Sequence, residues 1–153
     1  MKLDGMNIRI LNILQRDARK TVSEIARELK RAETTVRERI KHMERENVIK
    51  GYSASVDKDS LGYPTEALIF CNMDSEKMEA SIPKILALQN VIGMIHVTGE
   101  RRIVIRAAAR SNEEMWSLVH HSLIPMGCVD VDSHVIMRRY DKFPPDGIIV
   151  EDI

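Results

Sequence analysis

The apolar spacing of this chain switches near residue 47, and no other feature restricts its architecture as much. Before the switch, apolar residues recur at steps of three and four, as one face of a helix requires. Leu3, Met6, Ile10, Leu11 and Leu14 do so first, with Asp4 placed to cap the opening turn, and predict a helix ending near Asp17. Thr21-Val22-Ser23-Glu24 fits a capping box, in which hydroxyl and carboxylate satisfy each other's orphan amides. Ile25, Ala26 and Leu29 extend that stripe into a second, short helix. A third follows in RAETTVRERIKHMEREN, residues 31–47. There Val36, Ile40 and Met43 lie within about 60° of one another on a helical wheel, while Thr34, Glu38, Lys41 and Arg45 gather opposite with Arg37 alongside. Residues 48–57 then alternate and β-branch like a strand.

Three helices whose last two are joined by a turn of about 3 or 4 residues make a helix-turn-helix, and the last is the one able to enter a major groove. A polar face on a short helix is more often plain solvated surface, so the wheel alone leaves both readings open. Charge weighs on the choice. The chain is neutral overall, yet residues 1–50 hold thirteen Lys/Arg against eight Asp/Glu, and the remainder ten against fifteen. A head at +5 and a body at −5 suit a head that meets a polyanion and a body that keeps the whole in solution.

The body reads as β-α-β-β-α-β. Residues 63–74, YPTEALIFCNMD, predict a strand, and 75–88 a helix with Met78, Ile82, Ile85 and Leu86 inward, which Pro83 should kink or cut short. Residues 91–98 and 102–109 predict two strands around a tight turn at Gly99; Ser111-Asn112-Glu113-Glu114 opens a helix through Leu123 with Trp116, Val119 and Leu123 on one face; residues 129–139 close as a strand. That order is a ferredoxin-like sandwich, an antiparallel sheet with both helices on one side, so the fold class is α+β. Ala67 to Cys71 and Ala107 to Ala109 are apolar on both strand faces, although two helices can cover only one. A second copy is the economical cover for the other. The tail, DKFPPDGIIVEDI, breaks at Pro-Pro-Asp-Gly and then offers Ile148-Ile149-Val150, either a short added strand or a loosely docked end.

With 153 residues, 44% of them apolar, the chain can bury a core for one domain or two small ones. No apolar run reaches the roughly 20 residues that cross a bilayer, and MKLDGMNIRI has no secretory signal's apolar block, so the expected location is the cytoplasm. Cys71 and Cys128 are too few and too far apart for a zinc site and read as small core residues. The five histidines, His42, His96, His120, His121 and His134, have no Cys, Asp or Glu at ligand spacing, and no nucleophile or phosphate-loop motif occurs. No cofactor, metal or catalytic residue is expected, and the chain does not read as an enzyme.

The ordered set Leu3-Asp4, Ile10-Leu11, Arg19, Glu24-Ile25-Ala26, Thr35-Val36, Arg39-Ile40 and Val48-Ile49-Lys50-Gly51-Tyr52 resembles the Lrp/AsnC family of transcription regulators over about residues 3 to 140. The resemblance implies an N-terminal winged helix-turn-helix domain followed by a ferredoxin-like effector and oligomerisation domain. It divides the chain into residues 1–50, a linker strand over 51–62, the second domain over 63–142 and a tail over 143–153. It implies a sequence-specific regulator that binds pseudo-palindromic operator DNA as a homodimer or a larger assembly, up to an octamer. The expected DNA-binding set is Lys30, Arg31, Glu33, Thr34, Thr35, Arg37, Glu38, Lys41 and Arg45. Within it Thr34, Arg37, Glu38 and Lys41 face the groove, and Lys30, Arg31 and Arg45 hold phosphate.

Two departures from the family pattern stand out. Lys30-Arg31-Ala32 replaces the usual Gly-Leu-Ser of the turn, which puts Lys in a left-handed position at a cost of about 1 to 2 kcal/mol and removes a capping hydroxyl. Thr35-Val36-Arg37-Glu38 is a second capping box, so the third helix is expected to start late. The expected effector site is Thr98, Gly99, Glu100, Arg101 and Arg102. Family members that answer to amino acids carry an aromatic residue and an Asp where this chain has Arg101 and Arg102, so a neutral amino acid is not the expected effector here. The enzyme alternative is kinship with decarboxylases acting on sirohaem, which resemble the same two-domain arrangement.

Overall fold

The computed structural model describes residues 2–142 and 147–150. They fall into two compact units: a head, residues 2–55 together with the described residues after Arg139, and a body, Val56–Arg139.

The head is built on α1 (Gly5–Arg16), α2 (Val22–Leu29) and α3 (Glu33–Arg45). Asp4 caps α1, accepting from the Asn7 amide at 2.8 Å, and Thr21 and Glu24 form the reciprocal box at the start of α2. The stripes the spacing marks meet inside, where Ile10, Ile25, Val36 and Met43 are fully buried. Each contributes about 1.5 to 3 kcal/mol by leaving water. Helix α2 ends with Lys30 left-handed at φ 53°, its neighbour Arg31 donating its amide back to the Ala26 carbonyl. Helix α3 ends the same way on Asn47, φ 55°, a residue that tolerates this backbone better than Lys does.

Two expectations for the head fail. Helix α3 starts at Glu33, not late: Ala32 occupies the cap position and gives no side-chain hydrogen bond, and the Thr35 box is unused. The linker strand does not form: residues 48–49 bend, 50–57 carry no regular structure and 58–62 turn, and no strand among the described residues pairs with them; Tyr52 is anchored instead by its hydroxyl to Glu44 at 2.9 Å.

The body's four strands, β1 (Thr65–Asn72), β2 (Val91–His96), β3 (Ile103–Ala109) and β4 (Val129–Val135), form one antiparallel sheet in the order β2-β3-β1-β4. Helices α4 (Ser75–Leu86) and α5 (Asn112–Leu118) pack on it, enclosing Ile69, Ile85, Ile103, Ile105, Leu123 and both cysteines, which are free thiols. Helix α4 runs unbroken through Pro83. Its inward residues are Met78, Ser81 and Ile85; Ser81 donates to the Met126 carbonyl at 2.8 Å. Leu86, expected inward, lies at the edge of that stripe and is exposed, while Leu88 packs in its place. The last helix widens into a single π-turn, Val119–Leu123, and its buried face is Met115, Leu118, Val119 and Leu123. Trp116 is displaced from the core and stacks on His120 with ring centroids 4.0 Å apart.

The Pro-Pro-Asp-Gly break and the residues after Val150 lie outside the described residues. The stretch between them, residues 147–150, belongs to the head and is hydrogen-bonded to Asn12 and Gln15 on α1.

Candidate nucleic-acid interface and effector turn

Helix α3 is fixed from behind. Val36, Ile40 and Met43 anchor it in the head core, and Arg39, on the flank of the same helix, turns towards α1. One guanidinium nitrogen of Arg39 reaches Asp4 at 2.6 Å and the buried Asn7 carboxamide at 2.9 Å. The Arg39 hydrogen bond, with the Asn7 amide second, holds the Asp4 carboxyl below its ordinary range. The side chain that caps α1 thus also locks α1 to α3. Sequence reasoning counted Arg39 only among the family positions; the signal for its role was the Asp4 and Asn7 pair three residues apart at a helix start.

The opposite face carries the residues expected to form the interface. Lys30, Arg31, Glu33, Thr34, Thr35, Arg37, Glu38, Lys41 and Arg45 are all exposed. Among the described residues no carboxylate lies at ion-pair distance from Lys30, Arg31, Arg37 or Arg45, and Lys41 meets Glu38 only at 4.0 Å. The first amides of α3 have no side-chain cap, and Lys30 and Arg31 immediately precede them in the turn. Free helix N–H groups beside two cations are an arrangement suited to a phosphate. The one surface thus holds a phosphate-type end and a side-chain face able to present donors and acceptors to base edges.

In the body, Thr98, Gly99, Glu100, Arg101 and Arg102 form the exposed turn between β2 and β3. Gly99 supplies a φ of 118°, and the turn is closed by the Val97 amide donating to the Arg102 carbonyl at 2.7 Å. Arg101 is engaged: its guanidinium pairs with Asp132 on β4, which also takes the His134 ring at 3.1 Å. His134 first, and Arg101 after it, keep the Asp132 carboxyl below its ordinary range. Arg102 gives its backbone amide to Asn72 at 3.1 Å, and no carboxylate among the described residues pairs with its side chain. The sequence gives no sign of Asp132, 31 residues from Arg101, or of its companion His134, because the β1–β4 pairing is what brings β4 alongside the rest of the sheet.

The head's residues 3–44 match the model of the AsnC-type helix-turn-helix domain, and residues 66–145 that of the Lrp/AsnC ligand binding domain. The chain is 31% identical over 124 residues to the HTH-type transcriptional regulator Ptr1 of Methanocaldococcus jannaschii, covering 81% of this chain and 84% of that one. It is 29% identical over 113 residues to the HTH-type transcriptional regulator FL11 of Pyrococcus furiosus, 74% and 75% of the two chains. Among solved structures, LrpC of B. subtilis superposes with a TM-score of 0.83 at 25% identity over 92% of this chain and 99% of that one. A transcriptional regulator of Neisseria meningitidis, solved as its L-Met complex, shares the fold at a TM-score of 0.85 and 20% identity, with 94% and 96% covered. The relatives named here are regulators, and the kinship with sirohaem decarboxylases finds no support among them.

Proposed function

This chain belongs to the Lrp/AsnC family of DNA-binding transcription regulators, and on that premise we propose that α3 and the turn before it read operator DNA through the nine residues set out above. The observation that carries the proposal is the cluster of exposed cations with no carboxylate partner among the described residues, beside the uncapped start of α3. Lys30, Arg31 and Arg45 hold phosphate. Thr34, Arg37, Glu38 and Lys41 face the major groove, with Glu33 and Thr35 completing the first turn. Arg37 can donate twice to one guanine and Glu38 can accept from cytosine, each good pair discriminating by about 1 to 3 kcal/mol.

The test is a selection of bound sequences from random duplex DNA, followed by titrations at several salt concentrations. Arg37→Ala should relax the preference at one base position. Arg31→Ala should weaken all sequences alike and reduce the slope of log affinity against log salt by about 1. If Arg37→Ala changed neither affinity nor preferred sequence, this docking would be wrong.

The regulator acts where the DNA is, in the cytoplasm, as a dimer or a larger assembly that presents its heads to half-sites about 34 Å apart or a multiple of that. No helix among the described residues is long and apolar enough to cross a membrane. Any effector taken at the Thr98–Arg102 turn is acidic. Arg101 already has Asp132, which leaves the Arg102 guanidinium facing solvent where family members that answer to amino acids hold an acid. A ligand ammonium about 4 Å from such a cation costs about 4 kcal/mol at an effective dielectric of about 20, as much as a millimolar affinity provides.

A further inference from the structure

The chain's two cysteines meet inside the body. Cys71 is the next-to-last residue of β1, and Cys128 stands directly before β4. Both are buried on the helix side of the sheet, in the same core as Ile69, Met73 and Leu123. Antiparallel pairing sets Asn72 opposite Val129, so the cysteines take diagonal positions on neighbouring strands. On a regular ladder such positions have Cα atoms about 7 to 8 Å apart and Cβ atoms somewhat closer. Here the pairing shifts by one residue between Phe70 and Asn72, with Asp130 left-handed at φ 52° in the extra length of β4, and a shift of this kind sharpens the local twist. The two thiols face each other there and share a hydrogen bond.

That hydrogen bond makes the pair unequal. Together with burial it pushes the Cys71 thiol up, so Cys71 keeps its proton. The same bond brings the Cys128 thiol below its ordinary value in spite of burial, so Cys128 is the sulfur eased towards thiolate, the form that attacks. The cover over Cys128 is also thin on one side. A Cβ built on its neighbour Gly127 would meet a single atom within 4 Å outside the adjoining residues, Cγ of Met73 at 3.9 Å. Strand β4 is an edge strand held by β1 alone, and a corner secured by one ladder opens more readily than the middle of a sheet. Neither sulfur has a part in the DNA reading or in the Thr98–Arg102 turn.

We propose that Cys71 and Cys128 are a redox-responsive pair, in which a small hydroperoxide converts the two thiols into a disulfide that ties β1 to β4 and holds the edge strand against fraying. The Cys128 thiolate attacks one peroxide oxygen: an S–O bond forms, the O–O bond breaks, and the departing oxygen leaves as water with the proton of Cys71. The Cys71 thiolate then attacks the sulfur of the Cys128 sulfenic acid, forming the S–S bond. The second oxygen leaves as water with the proton that Cys128 had given up. Two thiols lose two electrons and two protons in all, and one hydrogen peroxide becomes two waters. A dithiol reductant reverses the bond by exchange.

Hydrogen peroxide added to the full chain without DNA tests the pair. The treated chain is unfolded, exposed to N-ethylmaleimide and weighed intact. The expected product is a monomer two hydrogens lighter that takes up no maleimide, and dithiothreitol should restore both reactive thiols. Two maleimide adducts, a sulfinic or sulfonic acid, or a disulfide between chains overturns the proposal. Single-thiol variants test the roles. Cys71→Ser keeps an O–H donor beside Cys128, so peroxide should leave a sulfenic acid there that dimedone captures at least about tenfold faster than in Cys71→Ala, which has no donor. Cys128→Ala should show no capture at Cys71 over the same time. Equal capture in the Ser and Ala variants, or faster capture at Cys71, overturns Cys128 as the attacking sulfur. Circular dichroism checks that each variant is folded, and the unaltered chain tests the bond itself without any substitution. In the oxidised chain the β4 amides that pair with β1 should exchange with solvent at least about tenfold more slowly than in the reduced chain, and unchanged exchange overturns the hold on the edge strand.

Discussion

Arg101 and Arg102 show how far single residues could be read from the sequence. Their charge, and its conflict with an amino acid's ammonium group, was legible; the partner of Arg101 was not, since Asp132 is an isolated acid until β4 pairs with β1. Arg39 teaches the same lesson in the head, where an arginine in a helix rich in charge looks like its neighbours until Asp4 and Asn7 claim it. The effector reading makes a prediction at this scale. Neutral amino acids such as leucine should leave the melting temperature within about 1 °C even at 10 mM, because a ligand stabilises only when its concentration exceeds its dissociation constant. A dicarboxylate that raises it should lose that effect in Arg102→Ala. Clear stabilisation by leucine or methionine that persists in Arg102→Ala would show that the turn does not govern the site.

Among the elements, local signals were read well and those that depend on a partner were not. The Asp4 cap and the Thr21–Glu24 box placed the starts of α1 and α2 to the residue because both devices are complete within a few positions. The strand expected over residues 48–57 has the right alternation but no neighbour among the described residues to pair with, and alternation alone makes no ladder. Pro83 lies in the last turn of α4, where the Glu79 carbonyl loses one donor but the flanking turns keep the axis, so the helix runs on. Trp116 was misplaced because the widening to a π-turn is not a periodic feature. The α2–α3 turn supplies the test at this scale. Lys30 holds a left-handed backbone in which glycine is at ease, so Lys30→Gly should stabilise the head by about 1 kcal/mol in thermal unfolding. The same change should weaken binding to every duplex by the loss of one cation. A variant that melted lower, or bound as tightly as before, would contradict the strain or the phosphate role respectively.

For the whole molecule, the two-unit plan followed from the switch in apolar period and from the opposite charges of head and body, both properties of long stretches. The return of residues 147–150 to the head was open in the sequence, which offered an added strand or a loose end. The body's sheet carries a prediction of its own. Opposite its helices it presents Leu68, Phe70 and Ile95, the last largely exposed, beside the buried Val104. If a second copy covers that face, Phe70→Asp with Ile95→Lys should halve or further reduce the mass found by light scattering at micromolar concentration while the sheet's circular dichroism persists. An unchanged mass would place the subunit contact elsewhere. One last consequence comes from the order in which residues are made. A ribosome finishes the three head helices before it begins the body, and at about 5 to 20 residues per second it reaches Ile148 about 5 to 20 seconds later. Every nascent chain therefore passes through an interval in which α1 already stands with the Asn12 and Gln15 carboxamides open, before residues 147–150 reach the head.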